Sequence, residues 1–294
     1  MSDTQQPIDT LIHIADLHFW EVVTNPFCLM NKRFWGNLTV ILRRRHHFVM
    51  DRAEPFADTV AATGVKDVLL TGDFASTATH AEFQRAREFV KNLAARGLSV
   101  TLMPGNHDVY TYRAKNQGRF EEHLGEFLPD RGHPGPVTLP GGTPVVVVPT
   151  VCPRHFSARG YVSQEVVIAV GQRIEACPGP LIVAAHYPVL HKTRGYESKR
   201  FRRLENAEAL REVLGASDKR ILYVAGHVHR ASYERDPDYP NIEYLTTDAF
   251  FRADPETGAR GQFTEIHVLP DGFRLLRHVC KDTWTAVDAK TEFR

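Results

Sequence analysis

Along this chain, short unbroken apolar runs alternate with longer stretches in which apolar residues recur every three or four positions. The runs are Leu11-Ile12-His13-Ile14-Ala15, Val68-Leu69-Leu70-Thr71, Leu98-Ser99-Val100-Thr101-Leu102, Leu181-Ile182-Val183-Ala184-Ala185 and Ile221-Leu222-Tyr223-Val224-Ala225. Runs this short and this continuous predict strands buried on both faces. Between them, Asp51 to Thr63 predicts a helix stopped by Gly64, and His80 to Arg96 one stopped by Gly97, with Phe83, Ala86, Val90, Leu93 and Ala94 on its inner face. The first third is therefore βαβαβ, a sheet with helices laid on it.

The second half is patterned differently. Phe120 to Phe127 predicts a short helix, Pro129 to Gly142 a loop, Val145 to Val148 a strand, and Ser163 opens a helix through Val167, Val170 and Ile174 that stops before Pro178. A helix from Glu205 to Leu214 precedes the Ile221 run. The tail is strand-rich at Ile242 to Thr246, Phe263 to Leu269 and Phe273 to Val279, with Pro270-Asp271-Gly272 as a hairpin turn. An alternating first half and a hairpin-rich second half predict an α/β fold of two mixed sheets packed face to face and flanked by helices. No repeat or low-complexity segment divides the chain, so one domain over residues 8–288 is expected.

One stretch interrupts this traffic. From Phe19 to Phe48, Phe27, Met30, Phe34, Leu38 and Ile41 recur at helical spacing with Trp35 and Leu42 beside them, and the stretch ends in Arg43-Arg44-Arg45-His46-His47. It predicts a helical amphipathic insertion, residues 19–50, set into the domain.

Composition changes the picture mainly by exclusion. With 294 residues, 43% hydrophobic, 24% charged and a net charge of +1, the chain is an ordinary globular protein without the broad basic surface that nucleic-acid backbones demand. Cys28, Cys152, Cys177 and Cys280 show no Cys-x-x-Cys spacing, and Met1 to Thr10 lacks a signal-peptide pattern. A cytoplasmic protein is expected.

The chemistry gathers where the apolar runs end. The first leads into Asp16-Leu17-His18, the second into Gly72-Asp73, the third into Gly105-Asn106-His107-Asp108, the fourth into His186 and the fifth into Gly226-His227-Val228-His229. Open α/β sheets place their sites at such strand ends. A lone strand-end histidine is more often a hydrogen-bonded core residue than a ligand, and His13, His80, His123, His133, His155, His267 and His278, which have no such company, are expected to be structural or surface residues. Asp16, His18, Asp73, Asn106, His186, His227 and His229 together offer seven oxygen and imidazole donors without thiolate, which suits Mn, Fe, Zn or Mg. If Asp73 bridges, they suffice for two ions. Two such ions about 3.5 to 4 Å apart can hold a hydroxide nucleophile and clamp a phosphoryl group.

These five motifs, in this order and spacing, closely resemble the signature of the calcineurin-like metallophosphoesterase superfamily over nearly the whole chain. The resemblance implies that Asp16, His18, Asp73 and His229 hold one metal, with manganese favoured, and that Asp73, Asn106, His186 and His227 hold the other. It implies that His107 protonates the leaving oxygen and that Asp108 orients its imidazole. The longer acidic signature common after the family's second aspartate is replaced here by Phe74-Ala75-Ser76-Thr77, which is assigned no ligand.

Substrate is less directly written. The insertion either caps an acyl chain or lies in a membrane interface, or packs its stripe on the protein's own core. The basic stretch Lys192, Arg194, Lys199, Arg200, Arg202 and Arg203 either meets phosphates or is a solvated loop. An apolar cap with Phe34, Trp35, Arg43, Arg44 and Arg45, and a basic loop with Arg194 and Arg200, would suit an amphiphile with a diphosphate head, and give the protein a peripheral contact at the inner face of the membrane. The insertion and the Gly105 to Thr111 segment followed by Arg119-Phe120 resemble bacterial metallophosphoesterases that cleave UDP-2,3-diacylglucosamine to UMP and 2,3-diacylglucosamine 1-phosphate in lipid A synthesis; the better-known branch carries Arg where this chain has His107. Gly72-Asp73 with the helix containing Glu82 to Glu88 also resembles the superfamily's cyclic-nucleotide phosphodiesterases. A catalytically silent metal-binding scaffold is the non-enzyme alternative, and its expected mark, a lost ligand or a missing His107, is not in this sequence.

Overall fold

The predicted strands fall into two six-stranded mixed sheets. The protein was analysed as a computed structural model that describes residues 5–23, 34, 38, 42, 47–128, 135–154, 157–196, 200–255 and 257–293. The first sheet begins with β1 (Asp9–Ile14), β2 (Asp67–Leu70) and β3 (Ser99–Leu102), paired in parallel. Between them run α1 (Ala53–Ala62) and α2 (His80–Ala95). Thr79 caps α2 by accepting from the backbone of Glu82, whose own side chain reaches back to the Thr79 N–H. Phe83, Ala86, Val90 and Leu93 are buried as predicted, but Ala94 is exposed and Phe89 fills that side of the helix instead.

Two short helices follow, α3 (Tyr112–Asn116) and α4 (Arg119–Leu124). The second sheet holds β4 (Gly135–Thr138) and β5 (Pro144–Val147). The short β6 (Gly160–Tyr161) and helix α5 (Gln164–Ala176) lead to its β7 (Leu181–Ala184). Beyond β7, β8 (Leu204–Glu205), which pairs with β6, and α6 (Ala207–Gly215) precede β9 (Ile221–Ala225). β10 (Ser232–Arg235) and β11 (Ile242–Thr246) complete its order, β10-β11-β9-β7-β5-β4. β12 (Gln262–Leu269), β13 (Gly272–Cys280) and β14 (Trp284–Asp288) return to the first sheet, ordered β14-β13-β12-β1-β2-β3, before α7 (Ala289–Glu292). Leu269 pairs with Gly272, so Pro270-Asp271 is the predicted hairpin turn. One element corrects the prediction: the loop expected over Pro129 to Gly142 contains β4. It is an edge strand, where a proline removes no needed ladder bond.

Strand alternation sorts the side chains into three apolar layers. Ile182 and Ala184 of β7 meet Leu11, Leu69 and Ile266 between the sheets, while Leu181 and Val183 face α5 and α6 with Val170, Ile174 and Leu210. Ile12 and Ile14 of β1 turn the other way, onto Phe83, Phe89 and Val90. Each fully buried Leu, Ile or Val contributes about 1.5 to 3 kcal/mol relative to exposure. The buried layers hold the C-terminal ends of β1, β2, β3, β7 and β9 in a fixed relation, and there the motifs gather.

Candidate metal centre

The loops that leave β1 and β2 do not part when the strands end. Backbone bonds from Thr71 N to Ile14 O, Asp16 N to Gly72 O, His18 N to Asp73 O and Phe19 N to Phe74 O continue the pairing past both strands. Asp16, His18 and Asp73 are thus set side by side by main chain alone. The third loop closes against them. A Cβ on Gly105 would lie 2.2 Å from both the backbone N and Oδ1 of Asp73, and one on Gly72 would lie 2.5 Å from Gly105 N, so only glycine allows this approach.

The backbone is strained where the donors are. Asp16, His18, Asp73, His227 and His229 have φ of 55, 50, 58, 69 and 52°, in the left-handed region that costs ordinary residues energy. Such conformations cost on the order of 1 to 3 kcal/mol each and persist when surrounding structure over-determines them. Here the continued ladder does so.

The turns aim side chains into one largely buried space. His18 Nε2 lies 2.8 Å from His229 Nε2, 3.9 Å from Asp16 Oδ1 and 3.5 Å from Asp73 Oδ2, and His229 Nε2 lies 3.5 Å from Asp16 Oδ1. Ligand atoms of Asp16, His18, Asp73 and His229 all fall within 4.8 Å of one another. The other oxygen of Asp73 looks the opposite way: Oδ1 is 3.5 Å from His186 Nε2, which is 3.1 Å from Asn106 Oδ1, itself 2.8 Å from His227 Nδ1. The seven donors therefore form two groups joined through Asp73. Two fully buried carboxylates among clustered imidazoles are costly unless positive charge joins them. The oxygen and nitrogen donors fit divalent cations.

Backbone carbonyls set which imidazole nitrogens face inward. His186 Nδ1 donates to Thr71 O at 2.8 Å and His227 Nε2 to Arg202 O at 2.9 Å, which leaves Nε2 of the first and Nδ1 of the second as inward lone pairs. Burial holds both rings below the usual histidine range, in the neutral form a ligand needs. Asp16 accepts the His227 backbone N–H at 2.9 Å, tying the fifth loop to the first.

Asp108 has a different task from the expected one. Its Oδ1 accepts from Ala75 N at 2.9 Å and its Oδ2 from Gly105 N at 2.7 Å, so it ties the second loop to the third. Burial, then the charge of Asp73, pushes its carboxyl up to about 8. The ring of His107 is oriented instead by Ser76, whose carbonyl oxygen lies 2.7 Å from His107 Nδ1. That ring stacks on Tyr110 and meets His18 edge-on with centroids 4.9 Å apart, which puts it at the margin of the first donor group.

A calcineurin-like phosphoesterase family model matches residues 10–231, the span from β1 to beyond His229 that contains every donor above. This chain belongs to the calcineurin-like phosphoesterase family. As a member it is a metal-dependent phosphohydrolase using divalent ions. Its fold is similar to that of a dimetal phosphatase from Danio rerio, at 13% identity over 97% of this chain and 100% of that one, with a TM-score of 0.63. It is also similar to purple acid phosphatase PPD1 from yellow lupin seeds, at 10% identity over 95% of this chain and 52% of that one, TM-score 0.56. A third is the TT1561 protein of Thermus thermophilus, at 12% identity over 91% and 97%, TM-score 0.53. A search of curated protein sequences finds no match.

Around this phosphoesterase centre the substrate residues expected from sequence are placed unevenly. Phe34 is exposed, as are Leu38 and Leu42; Trp35, Arg43, Arg44 and Arg45 lie outside the described residues. Arg200 lines a cavity with Arg159, His191 and Arg203, and Arg194 is exposed. No helix among the described residues is long and apolar enough to cross a membrane.

Sequence reasoning missed three features. The carbonyls of Thr71, Ser76 and Arg202 carry no side-chain signal. Glu82 is a buried carboxylate accepting from the backbone of Glu21, Thr77 and Thr79, which ties α2 to the segment carrying Ser76. His80 and His123, expected as solitary, meet at 3.0 Å beside Glu122 on the surface; they are 43 residues apart and no local pattern links them.

Proposed function

We propose that the protein hydrolyses a phosphoanhydride at a two-ion centre, with Asp16, His18, Asp73 and His229 holding one ion and Asp73, Asn106, His186 and His227 the other. The observation that carries this reading is the division of Asp73, one oxygen toward each donor group. Two divalent ions there, manganese first among the candidates, would supply Lewis acidity toward the phosphoryl group and acidify a water. The chain's own residues do the rest. Asp73 and Asn106 fix the spacing of the two groups, and the bond from His107 Nδ1 to Ser76 leaves Nε2 to hold a proton and give it to the departing oxygen.

The substrate we propose is UDP-2,3-diacylglucosamine, cleaved to UMP and 2,3-diacylglucosamine 1-phosphate. Support comes from Phe34, Leu38 and Leu42, exposed at four-residue intervals in the segment that follows Asp16-x-His18, a face suited to acyl chains or a membrane interface. Arg200 and Arg194, in the basic stretch after His186, suit the diphosphate.

The test is hydrolysis of UDP-2,3-diacylglucosamine with added manganese, read by phosphorus NMR, with cyclic AMP in parallel and Asp73→Asn as background. Release of UMP and the lipid monophosphate, absent in the variant, supports the reading. Turnover of cyclic AMP alone replaces it with a cyclic-nucleotide phosphodiesterase, and turnover of neither substrate removes both substrate readings.

A further inference from the structure

Among the described residues, one further set of donors draws together outside the buried centre. His80 Nδ1 lies 3.0 Å from His123 Nε2 and 3.8 Å from Glu122 Oε2, and ligand atoms of the three residues fall within 4.8 Å of one another. They come from two helices. His80 is the first residue of α2, while Glu122 and His123 stand in the last turn of α4.

These positions are held from behind. Thr79 and Glu82 close a capping box around the start of α2. Phe120 and Leu124 anchor α4 in the same apolar layer as Phe83, and the His123 ring stacks on Phe83 with centroids 5.8 Å apart. Arg119, at the head of α4, donates to Ala78 O at 3.0 Å, next to the cap. The guanidiniums near His123 are turned to other partners: Arg87 donates to Glu126 at 2.8 Å and Arg119 to Gln117 at 2.8 Å. Two imidazoles and a carboxylate are left at the solvent boundary, with the His80 and Glu122 side chains 55 and 57% exposed.

We propose that His80, Glu122 and His123 form a surface zinc site that clips α4 to α2, with water completing the coordination. Zinc takes imidazole nitrogen and carboxylate oxygen at about 2.0 to 2.2 Å in tetrahedral geometry, so its ligand atoms stand roughly 3.3 to 3.5 Å apart. The two separations from His80 bracket that value, and exposed side chains can close the difference. The hydrogen between the two ring nitrogens moves to the outer nitrogen of one imidazole, which makes both lone pairs available without loss of a proton. This set is nitrogen-rich and open where the central one is sealed by its loops, so it suits an ion that comes and goes with its free concentration. The inference goes beyond the phosphoanhydride reading and does not depend on it.

The experiment is equilibrium dialysis of the whole protein against zinc buffered at micromolar free concentration, with bound zinc counted by plasma mass spectrometry. Wild type, His80→Gln/His123→Gln and Glu122→Gln are compared. Glutamine can still hydrogen-bond between the helices but removes the imidazole donors. The double variant is expected to bind one zinc fewer per chain than wild type, and Glu122→Gln to bind that ion at least about tenfold more weakly. Zinc at about a hundred times its dissociation constant should raise the Tm of wild type by about 4 °C more than that of the double variant. Equal zinc counts overturn the site. A difference that emerges only at millimolar zinc also overturns it, as adventitious binding. Glu122→Gln leaves both rings in place, so if the double variant misfolds, unchanged zinc affinity in this single variant overturns the site by itself. The readout is a difference between proteins with the same central donors, so it stands or falls whatever the central site hydrolyses.

Discussion

The strand-end cage and the insertion after it sit at opposite extremes of burial. Asp16, His18 and His186 are fully buried, whereas Phe34, Leu38 and Leu42 are 50, 38 and 64% exposed. The cage is polar yet largely buried; these members of the insertion are apolar yet open. Each inverts the ordinary partition, and each inversion has its own physical cause. Burying the cage is supported by backbone bonds between loops, by glycines that allow close approach, and by the cations its donors fit. Exposing large apolar side chains brings no folding advantage, and under the proposed reading their use lies in what they meet. A third grouping marks the boundary: His80, Glu122 and His123 are as close together as cage members, but lie in the open. Proximity of donors alone does not make a cage; burial and strained turns accompany it.

The comparison breaks most severely at Asp73, whose two side-chain oxygens each face one of the donor groups. Asp73→Asn is expected to lower turnover by at least about 10²- to 10³-fold, the scale of losing one transition-state charge contact. Metal analysis after gel filtration should show both ions depleted. Loss of one ion with the other retained would remove the bridging role.

Gly105→Ala attacks the same cage through packing. Its Cβ would fall 2.2 Å from Asp73 atoms that have no room to retreat, so destabilisation of about 3 kcal/mol or more is expected in chemical denaturation. A near-neutral result would mean that the third loop can move away without loss, and that the cage is less over-determined than its strained turns indicate.

His107 lies at the margin, and its effect should depend on the leaving group. His107→Ala is expected to slow esters with poor leaving groups by about 10²- to 10⁴-fold, and those with good leaving groups much less. Uniform losses across a leaving-group series would assign the imidazole to substrate positioning.

Glu82 sharpens the comparison from outside the cage. Glu82→Gln places an NH2 among backbone N–H donors and should cost about 1 to 3 kcal/mol. Burial raises the Glu82 carboxyl from 4.5 to about 7. A carboxyl with a raised folded-state value contributes stability that is fully present below its unfolded value and lost as pH rises through the folded one. The gap in Tm between wild type and variant should therefore be widest near pH 4.5 and narrow toward pH 8. A gap that widens with pH would show that the N–H donors, rather than burial, control this carboxyl.

Much of the cage was legible because its signals are local. A strand buried on both faces announces itself as a short apolar run, and Asp, Asn and His at its end are unusual enough to be noticed. Their order matched a known signature. What was hidden was carried by the main chain or by contacts between distant segments: the Ser76 carbonyl displaced Asp108 as the orienter of His107, and β4 was hidden by Gly135 and Pro136 at its start. The insertion was half legible. Periodicity shows that an apolar face exists, but not what covers it.

The smallest expected effect on folding, and the most direct contrast with Gly105, is at that face. Phe34→Ser with Leu42→Ser should change stability by no more than about 0.5 kcal/mol, as surface substitutions do. The same pair should raise the logarithm of KM for an acylated diphosphate in proportion to acyl length, because each methylene withdrawn from water contributes about 0.8 kcal/mol. A series of substrates with successively shorter chains measures this directly. If the variant loses stability as the glycine substitution does, these side chains belong to the core and the contrast fails; if KM is independent of chain length, the face meets something other than the substrate's acyl groups.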